Sequence, residues 1–309
     1  MKITVKSFAK INLFLEIIGK NNQNYNLLDS LMTFIDIYDV IEVERIAQPK
    51  SGKKDQHLLK QKLTPAGEVI LEVAGSLDLK LLGNKEDNIL IKTINLLAKK
   101  YDFTPNIKIK LEKNIPISAG LGGGSTNAAT LIEILIKLYD LKISKEDLQE
   151  IALEIGSDVP FCLHKKMALI SGIGEKVEDI FLYHHDLYLL IINPNKPLNT
   201  GKIFQNYQIT KQKLKNNGAM QNQNHDLISL IRNKKNHLEV VAIKFCPEIK
   251  KILENLRLQR NIISAKLSGS GATCFGVFDK KSDLDLAFNN LKTIFPTFYI
   301  KKTKLLYSV

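Results

Sequence analysis

Residues 116–129 read Pro116-Ile117-Ser118-Ala119-Gly120-Leu121-Gly122-Gly123-Gly124-Ser125-Thr126-Asn127-Ala128-Ala129, four glycines in five positions followed by two hydroxyl residues. Glycine permits positive φ and lets a ligand come close to bare amides. The segment feeds an expected helix from about Ser125 to Tyr139, with Ala128, Leu131, Ile132, Leu135 and Tyr139 along one face. The first amides of a helix have no partner within it, and the dipole adds partial positive charge there. Free amides leading into a helix N-terminus make an anion site, most often for phosphate. The spacing points to a phosphate-binding enzyme that uses a nucleotide.

Two common phosphate loops do not fit. A Walker A loop ends in Gly-Lys-Ser or Gly-Lys-Thr, and no lysine follows Gly124. In a Rossmann fingerprint the third glycine would stand elsewhere, and Asp140 falls at a helix end rather than a strand end. A simple turn without ligand needs one or two glycines, not four beside Ser125 and Thr126.

Phosphoryl transfer to an alcohol also needs charge neutralisation and help in removing the hydroxyl proton. Residues 3–17 alternate, with Ile3, Val5, Ala9, Ile11, Leu13, Leu15 and Ile17 on one face and Lys6, Phe8, Lys10, Asn12 and Phe14 on the other. Lys10 and Asn12 therefore point the same way. A lysine on a largely apolar face needs an anionic partner; the plainer reading is an exposed charge on a half-buried sheet. Asp158 stands between Gly156 and Pro160, just past an expected helix end, where irregular backbone can aim a carboxylate into a cleft. It reads also as a turn or N-cap aspartate.

Around these residues the pattern predicts an α+β fold. Strands are expected at 40–45, 69–73 and 107–112, and a helix over 88–101. Ser144 with Asp147 resembles a capping box opening a helix that ends near Gly156. A strand at 187–193 precedes helices at 200–207, 225–232 and 247–258. The end reads strand, strand, helix, strand at 262–267, 273–277, 282–291 and 297–302. The lysine-rich tract 48–64 reads as a mobile insertion in a hairpin, and the tract 211–225 as an exposed connection.

The chain has 309 residues, enough for one large or two ordinary domains. It contains no apolar run of about 18 residues, so no membrane span is expected. Cys162, Cys246 and Cys274 are scattered without a CxxC pair, as in a reducing cytosol, and a cytoplasmic location is expected. The net charge of +12 raises the question of nucleic acid, yet of 44 basic residues only Arg45, Arg232, Arg257 and Arg260 are arginine. Arginine is the planar reader of phosphates and bases, so the charge reads as solvated surface that also attracts a polyanionic substrate.

The 116–129 segment closely resembles the second motif of the GHMP kinases. Ser7-Phe8-Ala9-Lys10-Ile11-Asn12-Leu13-Phe14-Leu15 and Lys266-Leu267-Ser268-Gly269-Ser270-Gly271-Ala272-Thr273-Cys274 resemble the family's outer motifs, in the right order. Glu86-Asp87-Asn88-Ile89-Leu90, Gly156-Ser157-Asp158-Val159-Pro160 and Gly172-Ile173-Gly174-Glu175 are similar to the branch that phosphorylates a cytidine diphospho-sugar alcohol. The resemblance implies a two-domain GHMP kinase fold, with a ribosomal protein S5 domain 2-like N-terminal domain over 1–180 for ATP and a ferredoxin-like C-terminal domain over 181–309 on the substrate side. It implies ATP and Mg²⁺, with Pro116 to Thr126 and Asn88 around the nucleotide; Asn88 reads also as a simple helix cap.

By the same resemblance Asp158 is the general base and Lys10 keeps it ionised. The family's Gly-Tyr-His becomes Asn24-Tyr25-Asn26, so Tyr25 is kept and Asn26 replaces the histidine that holds cytosine. Asparagine can offer both a donor and an acceptor to that base. Asn12, Thr200, Phe204, Gly269 and Gly271 complete the implied substrate side, although Phe204 reads equally as an ordinary helix core position. The alternatives are another small-molecule GHMP kinase, acting on homoserine, a mevalonate or a sugar, and an RNA-binding module built on the S5-like fold.

Overall fold

The computed structural model describes residues 1–46, 59–63, 67–75, 88–180, 182, 186–207 and 226–309. Two long strands, β1 (Lys2–Lys20) and β2 (Asn26–Arg45), open the chain. They are followed by β3 (Leu59–Leu63), β4 (Gly67–Gly75), α1 (Ile89–Lys100) and β5 (Ile107–Lys113). Next come α2 (Gly123–Tyr139), α3 (Lys145–Ile155), α4 (Val159–His164), β6 (Ala168–Gly172), β7 (Lys176–Asp179) and β8 (Tyr188–Asn193). Four helices, α5 (Thr200–Gln205), α6 (Leu227–Asn233), α7 (Glu239–Phe245) and α8 (Glu248–Arg257), lead to β9 (Ser264–Leu267), β10 (Cys274–Phe278), α9 (Lys281–Ile294) and β11 (Tyr299–Leu306).

The described residues form two compact units. One comprises 1–9, 37–117 and 123–163; the other comprises 10–36, 118–122 and 164–309. The units interleave in sequence, whereas the sequence suggested a single boundary at residue 180.

In the first unit the strands run β3-β4-β5-β2, with β4 and β5 parallel and the other pairs antiparallel. A parallel pair needs a crossover, and α1 lies within it. Helix α1 buries Leu90, Ile91, Ile94, Leu97 and Ala98 and begins at Asn88, whose side chain accepts the Leu90 amide. The expected box at Ser144 is present: its Oγ accepts the Asp147 amide at 3.0 Å and lies 3.0 Å from Asp147 Oδ2. Such a cap contributes about 1 kcal/mol.

In the second unit the first half of β2 pairs with β6 and β11, and β11-β8-β10-β9 continues antiparallel. Leu190 and Ile192 of β8 meet Ile249, Ile252, Leu253 and Leu256 of α8 in one apolar core, with Leu291 of α9.

Four features depart from the sequence pattern. Strand β2 begins at Asn26 rather than Val40, because Asp29, Ser30, Thr33 and Asp39 are buried within it and hide the alternation. Helix α2 begins at Gly123, two residues before the expected start. Residues 59–63 of the tract expected to be a mobile insertion form β3, paired with β4; the remainder of that tract and the tract 211–225 lie outside the described residues. The helices α4 and α7 and the strands β6 and β7 carry too few residues to show a period.

Candidate active site

In β1 the charge expected on a half-buried face is inside the protein. Lys10 is 3% exposed, and Asn12 and Phe14 are fully buried. Lys10 Nζ donates to Asn12 Oδ1 at 2.8 Å, Asn12 Nδ2 donates to Ser30 Oγ at 2.9 Å, and Ser30 Oγ donates to the Phe14 carbonyl at 2.6 Å. This relay fixes which end of the Asn12 amide faces the ammonium. A buried ammonium is costly unless polar groups surround it.

Within the second unit, residues 118–121 are anchored by their carbonyls. The Ser118 carbonyl accepts from Leu198 N, Ala119 from Thr273 N, Leu121 from Lys10 N, and Gly120 from Ser268 Oγ at 2.8 Å. With those oxygens turned inward, the amides of Gly120, Leu121 and Gly122 donate to no backbone carbonyl among the described residues. That arrangement leaves donors for an anion. Gly120 has φ +76° and a β-carbon there would collide with the Ser268 carbonyl; Gly122 has φ +63° and a β-carbon would stand 2.5 Å from Lys10 Cγ. The turn at 268–271 is equally close: a β-carbon on Gly269 would lie 3.2 Å from the Gly120 carbonyl oxygen and 3.4 Å from Asn12 Oδ1. Lys10, Asn12, Gly120, Gly122, Gly269 and Gly271 are thus brought together. Pro116, Ala119 and Leu121 are buried, and Ile117 is half-buried, so this part of the segment anchors the loop through packing.

Behind the turn, Asn236 Nδ2 donates to the Leu267 and Gly269 carbonyls, both at 2.8 Å. Lys234 bridges Glu16 and Asp29 at 2.8 Å each. Burial works against its charge, but the two carboxylates outweigh it and raise its pKa. Lys266, at the start of the motif, donates to the Ile231 carbonyl and to Leu13 O at 3.3 Å. Among the described residues no carboxylate forms an ion pair with it, and burial, only partly offset by the more distant Glu16 and Glu239, pushes its pKa down to about 8.

In the first unit, Gly123 is buried at the start of α2 and Gly124 is exposed. A β-carbon on Gly124 would lie 3.7 Å from Ile89, the first residue of α1, which Asn88 caps. The Thr126 side chain is buried and its hydroxyl donates to the Gly123 carbonyl at 3.1 Å, whereas Ser125 is half-exposed. Asp158 immediately precedes α4, and its carbonyl accepts the Cys162 amide, so the expected irregular backbone is a short connection between α3 and α4. Lys10 belongs to the second unit and Asp158 to the first.

The Tyr25–Asn26 pair ends the turn between β1 and β2. Asn21 Oδ1 accepts the Gln23 and Tyr25 amides, and Tyr25 is 58% exposed. Asn26 Oδ1 is shielded and has no hydrogen-bond partner among the described residues. Thr200 opens α5 and its hydroxyl lies 2.8 Å from Ser270 Oγ, tying that helix to the 268–271 turn. Phe204 packs partly buried against the core.

Family models match in both halves of the chain: the GHMP kinases N terminal domain over residues 88–166 and the GHMP kinases C terminal over 206–297. A 4-diphosphocytidyl-2-C-methyl-D-erythritol kinase of Ehrlichia ruminantium (strain Gardel) is 39% identical over 310 residues, covering 99% of each chain. One from Thermoanaerobacter pseudethanolicus is 34% identical, covering 98% of this chain and 96% of its own. The chain belongs to the GHMP kinases. The fold agrees. The crystal structure of a 4-(cytidine 5'-diphospho)-2C-methyl-D-erythritol kinase superposes with a TM-score of 0.71 at 22% identity, over 98% of this chain and 99% of that one. A homoserine kinase from Cytophaga hutchinsonii gives 0.69 at 17% identity, over 99% and 95%.

Several residues of this GHMP kinase that shape the site carry little sequence signal. Ser30 and Asp39 lie in the part of β2 whose alternation is hidden. Asp39 is fully buried and accepts from Lys113 Nζ and from the Asn114 and Ile115 amides at 2.7 and 2.9 Å, and from Asn127 Nδ2 at 2.8 Å. Asn127 sits inside the glycine motif, and its burial on α2 is evident only in the structure. Among the described residues no group of three or more His, Cys, Asp or Glu side chains gathers to hold a metal ion, and no helix is long and apolar enough to cross a membrane.

Proposed function

We propose that this GHMP kinase transfers the γ-phosphoryl group of ATP to the 2-hydroxyl of 4-diphosphocytidyl-2-C-methyl-D-erythritol, in isoprenoid precursor synthesis in the cytoplasm. The observation that carries the reading is the full-length identity of 39% to a kinase named for that alcohol. The anion cradle built from the 118–122 carbonyl anchors and the buried Lys10–Asn12 pair supports it.

In this reading the amides of Gly120 to Gly122 and the first turn of α2, with Ser125, receive the nucleotide phosphates, and Asn88 stands on the adenine side. Asp158 accepts the hydroxyl proton as the alcohol oxygen bonds to the γ-phosphorus. The bond from that phosphorus to the bridging oxygen breaks and ADP leaves. Lys10, oriented by Asn12, supplies positive charge that keeps the base ionised and offsets charge on the oxygens in flight. Mg²⁺, when bound, would supply positive charge that offsets the charge of the phosphates. The donors present in the cradle are amides, an ammonium and hydroxyls, which suit phosphate rather than a bare cation, so the ion would arrive on the nucleotide and no protein ligand is assigned.

Residues 1–180 are assigned the ATP side, except for the β1–β2 turn, and 181–309 the substrate side; Tyr25 and Asn26 of that turn, with Thr200, Phe204, Gly269 and Gly271, are assigned to the cytidine alcohol. Asn26 Oδ1, without a partner among the described residues, supports a base contact there: it can accept from an exocyclic amine. The test is ADP release with a panel of alcohols. Turnover stimulated by the cytidine diphospho-sugar alcohol is expected; stimulation by homoserine or mevalonate instead would overturn the assignment.

A further inference from the structure

Four donors from two segments, residues 113–115 and helix α2, converge on one carboxylate in the first unit. Asp39 Oδ1 accepts the amides of Asn114 and Ile115, at the corner where β5 becomes the glycine segment. Asp39 Oδ2 accepts Lys113 Nζ, from the last residue of β5, and Asn127 Nδ2, from the second turn of α2. The group is closed to solvent: the side chains of Lys113 and Asp39 are 4% and 0% exposed. The two oxygens of a carboxylate can receive all four donors, whereas a side-chain amide has one accepting atom.

The start of α2 rests on the same corner. A β-carbon on Gly123 would lie 3.0 Å from Ile115 Cγ2 and 3.2 Å from Lys113 Nζ. An ammonium therefore abuts the positive end of the helix, an unfavourable placement that a neighbouring carboxylate offsets. The Asn127 amide records the same dependence. Its Nδ2 faces Asp39, while its buried Oδ1 has no partner among the described residues. The carboxylate thus sets the orientation of a side chain that leaves its own acceptor unused.

We propose that Asp39 is a positioning residue for nucleotide binding: it joins the 113–115 corner to the first turns of α2 and so holds the amides at Gly123 to Ser125 in the arrangement that takes phosphate. The inference rests on the reading of that helix end as the ATP phosphate site. It concerns nucleotide affinity and leaves the acceptor alone.

The test uses the full-length chain and two readouts, the dissociation constant of ADP by calorimetry and the separate KM values for ATP and acceptor. Asp39→Asn should raise the ADP constant and the KM for ATP at least about tenfold, with the acceptor KM within about twofold. Asn127→Ala, which removes one arm and leaves the ion pair, should raise both nucleotide constants about threefold and carries the test if Asp39→Asn does not fold. The double variant Asp39→Asn/Lys113→Met should recover most of the ADP affinity. The new amide oxygen can accept the two backbone amides, its nitrogen can donate to a turned Asn127, and no unpaired ammonium remains. Nucleotide constants unchanged in both single variants would overturn the proposal, as would ATP and acceptor KM values rising together. ADP binding needs no acceptor, so a wrong acceptor assignment shows as wild-type ADP binding without turnover, and the ADP ratios still decide the role of Asp39.

Discussion

Lys10 lies across the α-carbon of Gly122, so near that a β-carbon there would stand 2.5 Å from its Cγ and 2.8 Å from its Cε. The glycine does two things at once: it frees an amide and it gives the lysine stem its channel. Read from sequence, Gly122 served only the approach of a ligand.

Gly122→Ala is therefore expected to displace Lys10 and to lower kcat by about a hundredfold, with a smaller effect on ADP affinity. The φ of +63° adds about 1 kcal/mol of backbone strain for any larger residue. Parallel turnover and ADP titrations check this; lost affinity with normal turnover of the bound complex would return the glycine to a ligand-approach role.

Asp158→Asn should reduce kcat by roughly two to four orders of magnitude while ADP still binds, as for removal of a general base. Unaltered turnover would remove Asp158 from the reaction.

The relay from Lys10 through Asn12 to Ser30 predicts that Ser30→Ala leaves the Asn12 amide with a buried, unmatched donor. A loss of about 1–3 kcal/mol of stability is expected, together with a drop of about tenfold in kcat. Urea titration and steady-state kinetics measure the two. Stability lost with kcat intact would mean that the orientation of Asn12 does not matter to Lys10.

Asn26→Leu should raise the KM for the cytidine alcohol about tenfold and leave ADP binding alone, because it removes the shielded acceptor Oδ1. An unchanged KM would place the base elsewhere.

Lys266 supplies a pH test. Its pKa falls from 10.5 to about 8 because the ammonium is buried. Between pH 8 and 10.5 the unfolded chain keeps a proton that the folded chain has released, so stability rises with pH across that window. Below pH 8 the penalty is fully present, on the order of 3 kcal/mol. Relative to Lys266→Met, wild-type protein should gain stability as pH rises from 8 to 10.5. Parallel curves for the two proteins would show that Lys266 stays charged inside the fold.

The sequence made most of the architecture legible where one face was apolar and the other polar. The α1 pattern, the Ser144 cap and the four closing elements were readable because local period and capping chemistry matched the burial. It misled where polar side chains are buried for a purpose. For Lys10 the exposed and the functional readings both stood, because alternation cannot distinguish a charge facing solvent from one facing Asn12. Asp39 and Ser30 were invisible for the same reason: their partners, at positions 113–115, 127 and 12, are distant in the chain. Thr126 had the right chemistry for a phosphate, but its hydroxyl is turned to its own helix.

The mould of the glycine segment is assembled from the far end of the polypeptide. Gly120 and Ala119 are gripped by Ser268 and Thr273, about 150 residues later in synthesis. A nascent chain paused before Ser268 already contains every glycine of the segment but lacks the donors that grip its carbonyls. On the proposed nucleotide reading, affinity for ATP is acquired only late in translation, once Ser268 and Thr273 have been made.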